Sequence, residues 1–238
     1  MPSEKGAKFY LVQDFPPWLG DKYELERTWR LPLRKIAISS WLAELVTQAG
    51  VPKKDVQAIP IAVDHNRFRV INSIRERAKR VVMLYSSITY KRSQLGLSVL
   101  LKCKDAVPNL EVNLFGPLEQ RPATPPSWSE YYGSVSESEL IKLYNAASIY
   151  LCSSAAEGFA LPPAEAMACG CAVATTDCGG NRDYAEHEKL LSFQIPMILS
   201  PWRTTYSDSC RTKSCASNLR SQEETESQSS RGRKAHGD

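Results

Sequence analysis

Two glutamates, Glu157 and Glu165, stand eight positions apart and have side chains that could bind a polyhydroxy ligand. The apolar run 149–152 before them predicts a buried strand. Leu161–Ala168 predicts a helix, because its two prolines suit a first helical turn. The loop between strand and helix therefore lies at the carboxyl end of a strand and the amino end of a helix. Open α/β sheets bind ligands at that position.

The same position favours an anionic ligand. Free amides at a helix start and the helix macrodipole attract phosphate oxygens. Gly158 has no side chain to keep a phosphate from the backbone. Glu165 lies about one turn into the helix and points back toward its start. A carboxylate only accepts hydrogen bonds, so it suits a pair of sugar hydroxyls. Together these features predict a site for a nucleotide diphosphate-sugar.

The elements around the loop indicate the fold class. Gly170 follows the helix where a left-handed capping residue is expected. Residues 172–176 then predict the next strand. A unit of strand, loop, helix and strand implies a parallel sheet, so the fold class is α/β.

At its full length the stretch resembles a known signature. Residues 157–180, EGFALPPAEAMACGCAVATTDCGG, are similar to the donor site of glycosyltransferase family 4 (group 1), the retaining enzymes of GT-B fold. Glu157 and Glu165 have the spacing of that family's E-x7-E motif. The resemblance implies a Rossmann-like parallel sheet, the GT-B donor domain, with a partial second Rossmann-like domain. It also implies transfer of a sugar from a nucleotide diphosphate-sugar to an acceptor, with retention of the anomeric configuration.

The resemblance assigns roles to individual residues. Glu157 would face the transferred sugar near the reacting centre, and Glu165 would bind the ribose hydroxyls. Lys91 matches the lysine of an arginine–lysine pair that neutralises the departing diphosphate, so Lys91 and Glu157 are the implied catalytic residues. Ser86 or Ser87, depending on the alignment, holds the arginine position, and Arg92 is an alternative source of that charge. The backbone groups implied to hold the donor belong to Val135, Gly158, Phe159, Ala160 and Leu161.

The chain divides into four predicted segments. Residues 1–62 resemble the C-terminal remnant of an acceptor-binding domain, and 63–80 an interdomain linker in which the basic run 75–80 is expected to be solvated. Residues 81–191 form the donor-binding domain. Residues 192–238 are rich in Ser, Arg, Thr and Glu and predict a disordered tail, because they offer little apolar area against the entropy of ordering. The resemblance thus implies truncation at both ends. The first interpretation of the tail is that a truncated or frame-shifted gene produced it, and the second is that it is a regulatory tail.

The composition of the chain indicates which partners and which cellular location to expect. The 238 residues are 42% apolar and 24% charged, as in globular proteins, and the net charge of +4 is too small to argue for nucleic acid. That charge suits an anionic substrate or a weak membrane-surface contact. The expected partners are a nucleotide-sugar donor and a glycan or lipid-linked acceptor. Without an apolar run of 18 residues or an N-terminal signal-peptide pattern, we expect a cytoplasmic protein, with peripheral membrane contact at most.

No cofactor and no metal are expected. The seven cysteines are odd in number and lack a C-x-x-C, which favours reduced, mostly buried thiols. Two sets of residues nevertheless raise the question of a metal: Cys169, Cys171 and Cys178, and then Asp177, Asp183 and His187. The spacing of neither set fits a usual metal site, so a polar loop explains the second set better. The family that the chain resembles needs no bound metal.

Three functions remain open from the sequence. The first is a glycosyltransferase in a truncated form whose activity is undecided. The second is a non-catalytic nucleotide-binding remnant. The third is another GT-B enzyme, such as a sugar-nucleotide epimerase, against which Lys91 together with Glu165 argues. Binding of UDP or GDP and hydrolysis of a sugar nucleotide without acceptor would separate these functions.

Overall fold

The structure is a computed structural model that describes residues 6–15, 22–122, 125–185 and the strand 203–205. Its α-helices are α1 Lys22–Trp29, α2 Ser40–Gln48, α3 Ser93–Ala106, α4 Glu137–Ala146 and α5 Leu161–Ala168. Its strands are β1 Phe9–Val12, β2 Arg34–Ala37, β3 Val56–Ala58, β4 Arg80–Leu84, β5 Glu111–Phe115, β6 Ser129–Tyr131, β7 Ile149–Cys152, β8 Ala172–Thr175 and β9 Arg203–Thr205.

A small parallel sheet is built from the first part of the chain. Its strand order is β1-β2-β3, and both pairings are parallel. Leu42 and Val46 of α2 pack on Val12 and Ala37 of the strands, and Trp29 of α1 completes this core. These side chains are fully or almost fully buried. The carboxyl ends of β1 and β2 consequently present their following loops at one edge.

A larger sheet follows, with strand order β6-β5-β4-β7-β8-β9. All pairings are parallel except that β9 runs antiparallel to β8. Successive side chains of the central strand β4 lie on opposite faces of the sheet. Val81 and Met83 pack in one core cluster, and Val82 packs in the other. This agrees with the continuous apolar sequence of β4, since a parallel strand is covered on both faces.

Several local predictions are confirmed. The helix α5 has the predicted bounds, and Gly170 after it adopts φ 87°. Ser136 caps α4 in a capping box with Glu139, as the sequence S-E-S-E predicts. The sequence also predicts that Ser40 caps the helix at 41–49, but in α2 Ser39 rather than Ser40 accepts from the amide of Leu42.

The linker is less solvated than predicted. Arg77, in the basic run, donates to the carbonyls of Tyr144 and Ala147 at 3.3 and 3.0 Å and to that of Cys169 at 2.7 Å. These carbonyls stand at the C-terminal ends of α4 and α5, where helices leave acceptors unsatisfied. Phe68 of the same linker is buried in the core beside α4. The linker therefore forms part of the larger unit's packing.

The predicted disordered tail, 192–238, lies outside the described residues apart from 203–205. Those three residues form β9 on the edge of the larger sheet, which differs from a disordered chain. Among the helices that the structure describes, none has the length and apolar character to cross a membrane. The segment boundaries given above stay predictions.

Candidate functional site

The two sheets approach each other at the loops that the sequence singled out. The backbone at Gly158 runs so close to the first sheet that a Cβ there would lie 1.9 Å from the carbonyl oxygen of Gln13. A Cβ at Gly179 would lie 2.4 Å from the indole of Trp41 on α2. The glycine at 158 therefore admits the backbone of the first sheet, whereas the sequence predicted that it would admit a phosphate.

A carboxylate–ammonium pair occupies this meeting point. The Lys91 Nζ donates to both Glu157 carboxylate oxygens, at 2.7 and 2.9 Å. The Ser154 hydroxyl donates to Glu157 Oε1 at 2.5 Å. The Lys91 and Glu157 side chains are only 19% and 16% exposed. The structure thus joins the two residues that the resemblance named as catalytic and adds Ser154, which the sequence did not single out.

The position of Lys91 is fixed by its backbone. Residues Thr89–Lys91 form a 3₁₀ turn between β4 and α3. The carbonyl of Lys91 accepts from the Ser153 hydroxyl at 2.8 Å, and that of Tyr90 accepts from the amide of Ala155 at 2.7 Å. Burial alone would lower the pKa of Lys91, but the charge of Glu157 and the hydrogen bonds to it raise the pKa overall. Lys91 is therefore a positively charged group held next to the start of α5.

The loop before α5 is held by the neighbouring loop after β8. The amide of Glu157 donates to the carbonyl of Cys178 at 2.8 Å, and the amide of Gly180 donates to the carbonyl of Glu157 at 3.2 Å. Ala160, the residue before α5, adopts φ 63°, which is unusual for a residue with a side chain. The Phe159 ring is buried against Tyr184.

The amides of this loop are available to a ligand. Among the contacts of the described chain, no hydrogen bond engages the amides of Gly158, Phe159, Ala160 or Leu161. These amides lead into the start of α5, where the helix dipole favours an anion, whereas Pro162 and Pro163 of its first turn have no N–H to donate. A small cavity beside them is lined by Leu84, Lys91, Ser154, Glu157 and Ala160.

Glu165 lies in a second cluster, between α5 and α4. The negative charge of Glu137 repels the Glu165 carboxylate. Glu137 is in the first turn of α4 and follows Val135 by two residues. The buried hydroxyl of Tyr144 lies close to the Glu165 carboxylate. Burial, and then the charge of Glu137, raise the pKa of Glu165 to about 7. The packing of α4 on α5 therefore places Glu165 near the first turn of α4. The implied roles of Glu165 at the ribose and of Val135 at the base stay predictions.

Other candidate residues have ordinary structural roles. The Ser86 hydroxyl donates to the Gln120 side chain at 2.6 Å, and the Ser87 amide donates to the same oxygen at 3.2 Å. Arg92 is exposed, with φ 47° at the start of α3. None of these residues brings a second positive charge to Glu157 in the described contacts.

The acidic residues considered for a metal are engaged elsewhere. Asp177 pairs with Arg182 at 2.8 Å, and Asp183 accepts from the amide of Ser40 at 2.8 Å. His187 lies outside the described residues. Within the part of the chain that the structure describes, no group of three or more His, Cys, Asp or Glu side chains is arranged to hold a metal ion.

A larger cleft of about 350 Å³ lies at the opposite edge of the first sheet, at the amino end of β2. Its buried cation, Lys35, already donates to the carbonyls of Leu31 and Leu33 at 2.6 and 2.5 Å. Arg30 donates to the carbonyl of Ala49 at 2.7 Å. These groups are used within the fold, so the cleft offers little binding capacity despite its size.

Known proteins are similar to this chain in sequence over one stretch and in fold over most of its length. The family described as "Glycosyl transferases group 1" matches residues 128–194. No curated protein matches the chain by sequence. Anabaena HepE, solved with UDP and glucose, superposes with a TM-score of 0.63 at 19% identity, over 77% of this chain and 56% of HepE.

Two further solved structures are similar. Sucrose-phosphate synthase from Thermosynechococcus elongatus has a TM-score of 0.55 at 18% identity, over 70% of this chain and 47% of the synthase. A variant of S. aureus TarM, solved with fondaparinux, alpha-GlcNAc-glycerol and UDP, has a TM-score of 0.61 at 15% identity, over 77% of this chain and 39% of TarM. The chain therefore spans 56% or less of these three proteins.

The chain has the GT-B type of α/β fold, with Rossmann-like parallel sheets. One stretch of it, residues 128–194, is similar to the group 1 glycosyltransferases.

Proposed function

We propose that this chain carries the nucleotide-sugar site of a glycosyltransferase that moves a sugar to an acceptor with retention of configuration. The observation that supports it most is the Lys91–Glu157 pair at the amino end of α5. A diphosphate requires positive charge and amide donors on one side, and the sugar attached to it requires a carboxylate nearby.

Each predicted residue takes a role in this proposal. Lys91 and the amides of residues 158–161 oppose the charge that develops on the diphosphate as the bond to the sugar breaks. Glu165 accepts from the ribose hydroxyls, and the backbone at Val135 contacts the base. UDP is the first nucleotide to test, since HepE and a TarM variant were both solved with it.

The remaining features of the protein are proposals of the same kind. The acceptor is a glycan or a lipid-linked glycan, the location is cytoplasmic with peripheral membrane contact, and the reaction needs no metal. EDTA treatment tests the last point, because a metal-dependent activity would disappear with it. Transfer also requires an acceptor held in line with the donor.

One observation favours a second candidate, a nucleotide-binding chain that does not transfer. The position implied to carry an arginine holds a serine, and the Ser86 side chain is bonded to Gln120 instead of facing the site. With one positive side chain rather than two, the leaving diphosphate is stabilised less.

Calorimetric titration of the full chain with UDP and GDP tests the proposal. Binding of either nucleotide, together with slow hydrolysis of its glucose or mannose derivative without acceptor, is expected for a transferase. Nucleotide binding without turnover supports the second candidate, and absence of both overturns the site. Glu165→Ala should weaken binding by about 1–3 kcal/mol through lost hydrogen bonds to the ribose. Glu76→Ala, at an exposed glutamate of the linker, is the control.

A further inference from the structure

A third carboxylate, that of Asp14 in the loop after β1, lies near enough to the Lys91–Glu157 pair to interact with its charges. Asp14 follows β1, next to Gln13, whose carbonyl contacts the backbone at Gly158. The charge of Asp14 interacts with those of Glu157 and Lys91. Asp14 therefore stands on the first sheet's side of the cleft, where the two sheets come closest.

The fold does not engage this carboxylate as it engages Glu157. Among the described residues, Asp14 accepts one hydrogen bond, from the amide of its neighbour Phe15 at 2.8 Å. Glu157, by contrast, accepts from both Lys91 and Ser154. Partial burial and, after the offset from the Phe15 amide, repulsion by Glu157 raise the pKa of Asp14. The charge of Lys91 offsets part of this repulsion, and a ligand with hydrogen-bond donors to both carboxylates would offset more of it.

The position of Asp14 indicates which ligand group it meets. In the proposed function the diphosphate lies against Lys91 and the amides at the start of α5. The sugar joined to that diphosphate then extends past Glu157, and the wall it reaches is the loop after β1. A sugar is neutral and rich in hydroxyl donors, which a carboxylate can accept.

We propose that Asp14 binds hydroxyls of the transferred sugar and determines which sugar the site accepts. This inference rests on the proposed function and deepens it, because the first sheet then takes part in donor recognition. Asp14 is a specificity-determining residue here, acting on the sugar and not on the nucleotide.

The test compares a nucleotide with its sugar derivatives on the same protein. UDP, UDP-glucose, UDP-galactose, UDP-N-acetylglucosamine, GDP and GDP-mannose are titrated calorimetrically into the full chain. The sugar nucleotide with the largest affinity gain over its own nucleotide is then titrated into Asp14→Ala and Asp14→Asn. Asp105→Ala, at an exposed residue near the C-terminal end of α3, is the matched control.

Asp14→Ala is expected to weaken binding of the sugar nucleotide about 10- to 100-fold, the size of one lost charged hydrogen bond, and to change the nucleotide's affinity less than about twofold. Asp14→Asn keeps the shape of the side chain and one acceptor, so a smaller loss of sugar-nucleotide affinity is expected. If the alanine variant does not fold, the asparagine variant is used for the test.

Three results overturn the inference while leaving the nucleotide site intact. In the first, nucleotide and sugar nucleotide weaken equally, which means that Asp14 does not act on the sugar. In the second, neither changes. In the third, the wild-type chain binds no sugar nucleotide better than its nucleotide. A wild-type chain that binds no nucleotide at all refutes the proposed function itself, and this inference with it.

Discussion

Replacing Lys91 by methionine should destabilise the chain by about 2–3 kcal/mol. Removing one partner of a buried ion pair typically costs about 3–5 kcal/mol, because the other charge stays desolvated. Here the two side chains keep 19% and 16% exposure, and Ser154 still donates to Glu157, so the expected cost falls to the lower end of that range or just below it. Methionine keeps most of the lysine's apolar volume, which limits the change to the lost charge.

Urea unfolding of the full chain, followed by tryptophan fluorescence, measures this free energy. The double variant Lys91→Met with Glu157→Gln should regain much of the loss, because no unpaired charge then remains buried. Arg27→Met is the control: Arg27 pairs with Glu24 at 3.2 Å, but the side chains are 69% and 60% exposed. An exposed pair of this kind contributes about 0–1 kcal/mol.

Two outcomes would refute the reasoning. A loss for Lys91→Met no larger than that for Arg27→Met would mean that Glu157 is well solvated. A double variant less stable than Lys91→Met would mean that the ammonium is not the main partner of Glu157. Lys91→Met should also abolish UDP binding in calorimetry, whereas Arg27→Met should not affect it.

Three further perturbations follow from the site. Gly158→Ala should cost about 1–3 kcal/mol in urea unfolding, because the new Cβ meets the Gln13 carbonyl; an unchanged midpoint would show that the sheets do not touch there. Asp183→Asn should cost about 0.5–1 kcal/mol, since its carboxylate accepts from Ser40 at the start of α2, and a thermal shift under 1 °C would contradict this. UDP affinity should fall about tenfold from pH 8 to pH 6, because the pKa of Glu165 is raised to about 7 and its protonated form is a poorer acceptor for the ribose hydroxyls. Glu165→Gln should remove that part of the pH dependence, and an identical pH profile in the variant would exclude Glu165 as its source.

The sequence predicted the local elements around the site well. The bounds of α5 and the left-handed Gly170 agree with the structure, as does the capping box at Ser136. These features depend on residues within about one helical turn of each other, so their interactions are readable from spacing alone. The choice of Ser39 over Ser40 as cap was missed, because both neighbours are competent and tertiary contact with Asp183 engages the amide of Ser40.

The two residues that the sequence missed, Ser154 and Asp14, depend on how their loops fold, which residue spacing does not show. Ser154 is an ordinary serine until Glu157 folds back beside it. Asp14 becomes a candidate sugar-binding residue only because the loop after β1 lies against Gly158. A signal existed for Asp14, since it follows a predicted strand as ligand-binding residues do. Nothing in the sequence indicated which strand end it would face.

By itself the sequence determined the α/β class, the loop at the carboxyl end of β7 and the two glutamates, one before α5 and one within it. These follow from short-range periodicity and from helix-end chemistry. Tertiary structure alone decided that Lys91 reaches Glu157 across 66 positions, and that Glu165 turns to α4 and away from that pair. The physical reason is that strand order and helix packing set which side chains meet, and both depend on the burial of apolar surface over the whole domain.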